Sequence, residues 1–354
     1  MTNKPQFVGE CRRVKLNEIC VKGKSSLRQK DVFNDGPYSV YGASGVVGTT
    51  SDYQNEIPYV AVVKDGAGVG RTSACEPMTS VLGTMQALIP NSNVERDYLL
   101  HLVRSLRLGE GFSGSTIPHI YFKDYGRIEV PLPSLEAQNH IVSQLGLVEA
   151  QITQAEAQIE QLDSLVKSRF VEMFGKCDVR VPLGKVCSFK SGKTLPKDKE
   201  MPSGDFIYAK VGDLSLPGNE MTIRFSRTYV DAATAKNCLI PKGSVVFPKR
   251  GGAIGTNKKR VTGEDCCLDL NLMSVIPGGE ILTEYLLAWL EQMDLADIAN
   301  GSTVPQINNK DLDPLIIPLP KMELQQEFAA FASQVDKSRF VALGGERNEF
   351  LFYS

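Results

Sequence analysis

The side chains best placed to do chemistry in this chain sit around two glycine-rich stretches. Gly66-Ala-Gly-Val-Gly70 lies between Lys64 and Arg71, and Gly251-Gly-Ala-Ile-Gly255 lies between Lys249-Arg250 and Lys258-Lys259-Arg260. A further basic group, Lys190, Lys193, Lys197 and Lys199, brackets Gly192. Cationic side chains on glycine-rich loops suit close approach to phosphates. Arginine can also pair bidentately with guanine in the major groove. Readings as a nucleotide-binding enzyme fail on spacing. Neither stretch has G-x-G-x-x-G followed by a helix, so both read as close-packed turns. Gly192-Lys193-Thr194 ends like a P-loop, but the glycine required five positions earlier is Cys187. Asp313-Pro-Leu-Ile316 lacks the second proline and the aromatic of a methyltransferase tetrad. His101, His119 and His140 have no obvious acid or nucleophile partner in sequence. No catalytic residue is assigned, and binding chemistry is what remains.

The eight cysteines, at 11, 20, 75, 177, 187, 238, 266 and 267, form no Cys-x-x-Cys pair and no zinc spacing with histidine, so no metal site is expected. No run of 18 apolar residues would span a membrane, and Met1-Thr-Asn-Lys-Pro-Gln has no apolar signal region. A cytoplasmic location with free thiols is the expectation. The net charge is −2. Residues 1–133 carry a net charge of +2, residues 134–175 of −4 and residues 176–320 of +1. The acidic excess therefore lies in one middle segment, and each flanking segment can still present a basic face.

The chain contains an internal repeat. Gly114-Ser-Thr-Ile-Pro-His-Ile-Tyr-Phe-Lys-Asp124 matches Gly301-Ser-Thr-Val-Pro-Gln-Ile-Asn-Asn-Lys-Asp311, at an offset of 187 residues. The same offset relates Ala87–Pro90 to Ser274–Pro277, Asp97–Leu100 to Glu284–Leu287, and Leu132-Pro133 to Leu319-Pro320. A fixed offset over so long a stretch means two copies of one unit. Near the start, Val14–Cys20 matches Val181–Cys187 at an offset of 167, so the second copy gains about twenty residues early on. Gly, Val, Tyr and Thr with frequent turn residues, as in Tyr38–Gly48, predict short strands and tight turns. A helix is expected at Arg96–Leu108 in the first copy and at Thr283–Met293 in the second.

Between the copies the texture changes. Ser134 is a plausible N-cap after Pro131-Leu-Pro133, and no proline follows until after Phe174. Ile141, Leu145, Val148, Ile152, Ala155, Ile159, Leu162 and Val166 keep a 4-3-4-3 spacing, the signal of a coiled coil. At about 1.5 Å per residue, forty residues give roughly 60 Å of helix. A helix lying on its own domain's core would also carry an apolar stripe. The regular period, with Gln, Glu and Ala elsewhere, favours the coiled coil. A second helix begins after Ile317-Pro-Leu-Pro320 with Phe328, Phe331 and Val335, then breaks at Gly344-Gly345, about twenty residues short of the first.

Module, long helix, module and second helix, with Leu162-Asp-Ser-Leu-Val-Lys-Ser-Arg-Phe-Val-Glu-Met-Phe-Gly175 closing the first helix, resemble the specificity subunit of type I restriction–modification systems. Tyr38–Gly48, Tyr59–Gly70, Gly114–Asp124 and Val181–Thr194 resemble that family's target-recognition domains. The resemblance implies an α+β fold: two similar target-recognition domains of mixed and antiparallel sheet (1–133 and 176–320), a coiled-coil spacer helix (134–175) and a shortened second helix with a tail (321–354). It implies that each domain reads half of a split double-stranded DNA site, and that antiparallel helices set the spacing and dock modification (methyltransferase) subunits. A restriction/translocase subunit is a further partner, and S-adenosylmethionine, ATP and Mg belong to the partners. The candidate DNA-binding residues are Tyr41, Ser44, Lys64, Arg71, Lys190, Lys193, Lys249, Arg250, Lys258 and Lys259. The candidate partner-binding residues are Ile152, Ile159, Leu162, Val166 and Phe170. Two other readings stay open: a specificity subunit for a stand-alone methyltransferase, and a coiled-coil adaptor whose modules bind protein.

Overall fold

A computed structural model describes residues 11–66, 68–111, 118–301 and 304–342, with side chains to residue 339. The expected break at Gly344-Gly345 and the start of the Gly114 motif lie outside the described residues. The chain divides into two compact units, Met1–Thr153 and Gln154–Ser354.

In the first unit, Arg12–Lys15 pairs antiparallel with Glu129–Leu132, closing the module on itself. The strand Cys20–Lys22 then enters an antiparallel four-stranded sheet with Met85–Pro90, Tyr59–Val63 and Thr72–Cys75. All five residues of Tyr59-Val-Ala-Val-Val63 are buried, because both faces of this central strand are covered. Val60 and Val62 face Tyr98, Leu99, Leu102 and Val103 of the helix Arg96–Ser105. Tyr59, Ala61 and Val63 pack in a second core with Val81 and Tyr41, both from a three-stranded sheet built on Tyr38–Gly42. The period of two along the strand thus divides one buried run between two layers.

The second unit repeats this plan. Arg180–Pro182 pairs with Ile316–Pro318, and Cys187–Ser191, Leu272–Pro277, Val245–Pro248 and Arg260–Thr262 form the matching sheet. Its helix, Thr283–Leu290, ends before the expected Met293, as Arg96–Ser105 ends before the expected Leu108. Register locates the insertion. Val40 pairs with Ser80 where Tyr208 pairs with Cys267, an offset of 168. Val60 pairs with Leu88 where Val245 pairs with Val275, an offset of 185. The additional residues therefore fall between these strands, and they build Thr222–Ile223 and Leu239–Ile240 at the edges of the two sheets.

The copies also share buried side-chain bonds. The carboxamide of Gln138 accepts from Glu95 N (2.9 Å) and donates to the carbonyls of Asn93 and Pro133 (both 3.0 Å). Gln325 accepts from Leu282 N (3.0 Å) and donates to Glu280 (2.9 Å) and Pro320 (3.1 Å). Tyr98 donates to the Pro131 carbonyl at 2.9 Å, and Tyr285 to that of Pro318 at 2.8 Å. Each glutamine ties the first turn of a long helix to the loop ahead of the preceding one, and satisfies backbone groups that burial would otherwise strand.

The spacer helix runs from Leu135 to Phe174, with Ser134 Oγ accepting from Ala137 N. Its apolar seam does not serve one partner. Ile141 packs on the first module's core, and Val166, Phe170 and Phe174 join the second module's core. Phe170 is therefore a core residue rather than a partner contact. Its ring lies 5.0 to 5.5 Å from those of Phe174, Tyr285 and Phe328. The second helix, Met322–Ala342, crosses this end antiparallel: Glu327 pairs with Arg169 at 3.4 Å, and Arg339 with Asp163. The middle of the spacer helix is exposed, with Val148 and Ile152 about half accessible and Leu147 beside them.

Because the Gln325 carboxamide satisfies three backbone groups, Gln325→Ala should cost about 1–3 kcal/mol. Thermal unfolding of the variant checks this, and an unchanged transition would contradict it.

Candidate nucleic-acid interface

The glycine stretches follow the ends of the two central strands, and the same backbone bonds hold both. In the first module Lys64 N donates to Thr84 O (2.9 Å), Ile120 N to Lys64 O (3.0 Å) and Gly66 N to Pro118 O (3.0 Å). In the second, Lys249 N donates to Asn271 O (2.8 Å), Ile307 N to Lys249 O (2.9 Å) and Gly251 N to Pro305 O (2.8 Å). The proline-containing motif that shows the repeat in sequence is thus a clamp on the strand end. The chain then turns outward at Gly66 (φ 94°) and Gly251 (φ 70°), a conformation that favours glycine. A Cβ at either would meet nothing within 4 Å, so these two glycines border open space rather than a packed turn. Gly70 does pack closely, since a Cβ there would lie 2.3 Å from Gly109 N.

The candidate cations divide by what holds them. Arg71 and Arg250 are exposed, and Lys64 is half-buried. The Lys249 ammonium donates to Ser191 Oγ at 2.9 Å, and burial, then the Arg250 charge, lowers its pKa. Lys258 donates to Ser215 Oγ at 2.5 Å. Lys190 and Lys193 donate to the carbonyls of Leu239 and Asn237, at 2.7 and 2.8 Å, and pin the Gly192 loop to that segment. Lys259 is a correction. Its side chain is fully buried and donates to Asn257 Oδ1 (2.9 Å) and Met293 O (3.1 Å), with the Glu291 carboxylate 3.9 Å away. Burial lowers the Lys259 pKa and raises that of Glu291. Lys259 holds the second module together and offers no charge to a phosphate. Tyr41 is half-buried against the first module's second core, and Ser44 is exposed at the turn after Tyr38–Gly42.

Of the candidate partner residues, Ile152 is 53% exposed, while Ile159, Leu162 and Val166 are half-buried. Along the seam, exposure is thus greatest around Val148 and Ile152, and off the seam Leu165 and Val171 near the helix end are exposed too.

Residue-by-residue reading missed one pair. His119 Nδ1 lies 2.6 Å from Asp65 Oδ1, although 54 positions separate them in sequence. His101 Nδ1 lies 3.9 Å from a Glu149 carboxylate oxygen. No sequence signal marks the Asp65–His119 pair: the repeat offset aligns His119 with Gln306, but only the strand register of the folded chain aligns Asp65 with Arg250. Burial pushes the thiols of Cys20, Cys75 and Cys266 up to about 12, so they stay protonated at neutral pH. Among the described residues no group of three or more His, Cys, Asp or Glu could hold a metal ion.

The sequence model of the type I restriction modification DNA specificity domain matches residues 10–163 and again 179–349. The chain belongs to this family. The two matches fall on the two repeats, so each module is a specificity domain. The type I restriction enzyme EcoDI specificity subunit of Escherichia coli is 23% identical over 389 residues, covering 95% of this chain and 85% of that one. The MjaIX specificity subunit of Methanocaldococcus jannaschii is 26% identical over 192 residues, 49% of this chain and 43% of that one. In fold, the chain is similar to the S subunit of a type I restriction–modification system from M. genitalium (TM-score 0.56, 15% identity, 99% of this chain and 95% of that one). It is also similar to a chain solved in work on the assembly and conformational transition of the type I system (TM-score 0.51, 20% identity, 99% and 95% covered). Both structures share its α+β architecture.

The two kinds of basic residue separate by stability. Lys259→Ala removes the donor from the Met293 carbonyl and the cation from beside the part-buried Glu291 carboxylate, and should cost about 2 kcal/mol or more. Arg250→Ala removes an exposed side chain and should stay within about 0.5 kcal/mol. Comparing their unfolding transitions checks this, and equal effects would contradict the assignment of Lys259 to the core.

Proposed function

We propose that this specificity-family chain is the non-catalytic DNA-recognition subunit of a type I restriction–modification complex. Each module reads one half of a bipartite double-stranded site. One observation carries the reading: the same clamped, outward-turned glycine loop, flanked by basic side chains, occurs once in each specificity domain. Arg71 and Lys64 in the first module, and Lys249, Arg250 and Lys258 in the second, supply the positive charge. Lys190 and Lys193 act mainly by shaping the Gly192 loop. Tyr41 and Ser44, on the first module's second sheet and its turn, are further candidates for DNA contact in this reading.

The partners are modification subunits, which dock on the exposed middle of the spacer helix around Val148 and Ile152. The helices set the gap between half-sites. S-adenosylmethionine, ATP and Mg then serve chemistry carried out by partner subunits, a methyltransferase and a restriction/translocase. Among the described residues no helix is long and apolar enough to cross a membrane.

Binding of cognate duplex by the assembled complex should weaken steeply as salt rises, because neutralising phosphates releases counterions. Replacing Lys64 and Arg71 by Ala should weaken binding similarly for all sequences. It should also reduce the slope of log K against log salt by about 1 for each phosphate left without its cation. A salt titration checks this. An unchanged slope would move the first module's glycine loop away from the DNA.

A further inference from the structure

The repeat allows one surface position to be compared in two modules. At the end of each central strand, an isolated antiparallel bridge joins the residue after the lysine to the clamp segment: Asp65 with His119 in the first module, Arg250 with Gln306 in the second. Directly opposed residues of an antiparallel bridge share a face, and the Asp65–His119 contact of 2.6 Å shows that sharing. The backbone bonds on both sides are the same in the two copies. The side chains are opposite in character: a carboxylate with an imidazole in one copy, a guanidinium with a carboxamide in the other. Packing does not dictate this difference. The Asp65 and His119 side chains are 30% and 36% accessible, Arg250 is exposed, and the glycine that follows each pair borders open space. Among the described residues, no side-chain hydrogen bond or ion pair holds the Arg250 guanidinium or the Gln306 carboxamide.

We infer that these two bridges are the base-reading positions of the modules, an inference that rests on the modules being DNA readers. A fixed backbone bearing side chains of inverted hydrogen-bonding character is what two readers of different half-sites require. A carboxylate can only accept, so His119 Nδ1–H donates to Asp65 and orients it. The carboxylate matches the N4 amino group of cytosine. The Arg250 fork matches O6 and N7 of guanine, and the Gln306 carboxamide matches N6 and N7 of an adjacent adenine. Asp65 and Arg250 therefore set the base, His119 positions Asp65, and the neighbouring Lys64 and Lys249 serve the backbone charge.

The test uses the full chain assembled with its modification subunits to select duplexes from a randomised pool. The wild-type complex should enrich a two-part sequence. If it enriches none, the reading of the modules as DNA readers fails, and the base-reading positions fail with it. Given a two-part sequence, Arg250→Ala should flatten one base pair of the second half, where a bidentate contact gives a preference of about 5- to 150-fold. Arg250→Lys should flatten the same pair while keeping the charge, and it decides the matter if the alanine variant binds too weakly for selection. Asp65→Ala and Asp65→Asn should each change one base pair of the first half alone. Variants at both positions that select the wild-type sequence with undiminished strictness would overturn the inference and leave the two-module reading standing.

Discussion

Each module depends on one backbone arrangement, the clamp that fastens the end of its central strand to the Pro118-His-Ile120 or Pro305-Gln-Ile307 segment. The central strands are buried on both faces and cannot shift without breaking two cores. The clamp pairs both the amide and the carbonyl of the residue at the strand end, Lys64 or Lys249. Gly66 and Gly251 then send the chain outward. A rigid base with an open glycine turn can present side chains to a groove in a set geometry. The basic loops and the bridge pairs take their positions from it.

The clamp explains what was legible in the sequence. Its motif is a long match between the copies, and within it Pro118–Ile120 and Pro305–Ile307 are held by the same bonds. The strands showed themselves through turn residues and apolar runs, and the long helix through the absence of proline and its regular apolar spacing. These signals are local or periodic. Three features had no local signal. Asp65 meets His119 across 54 positions. Lys259 sits among basic neighbours, yet the fold turns its side chain inward to Asn257 and Met293. Phe170 keeps the helical spacing of the seam, but spacing cannot say whether a neighbouring subunit or the chain's own Tyr285 and Phe328 covers a ring.

The spacer helix shows the same point on a larger scale. Its stripe reads as one coiled-coil seam but does three things. The start is tied to the first module through Gln138 and Ile141. The last turns are built into the second module's aromatic core and crossed by Met322–Ala342, itself tied down by Gln325. The middle, around Val148 and Ile152, is left exposed. Each end of the helix is thus held by the core of its own module. The exposed middle is the stretch on which the proposed modification subunits would dock.

The central claim is that two independent readers are joined at a fixed spacing. Exchanging residues 12–130 for the first module of another family member, and mapping the methylated positions in cells that carry the hybrid with its modification partner, tests it directly. Contacts that are well separated act nearly independently. The account predicts a new first half-site, an unchanged second half-site and an unchanged gap. A hybrid that alters both halves, or shifts the gap between them, would contradict it.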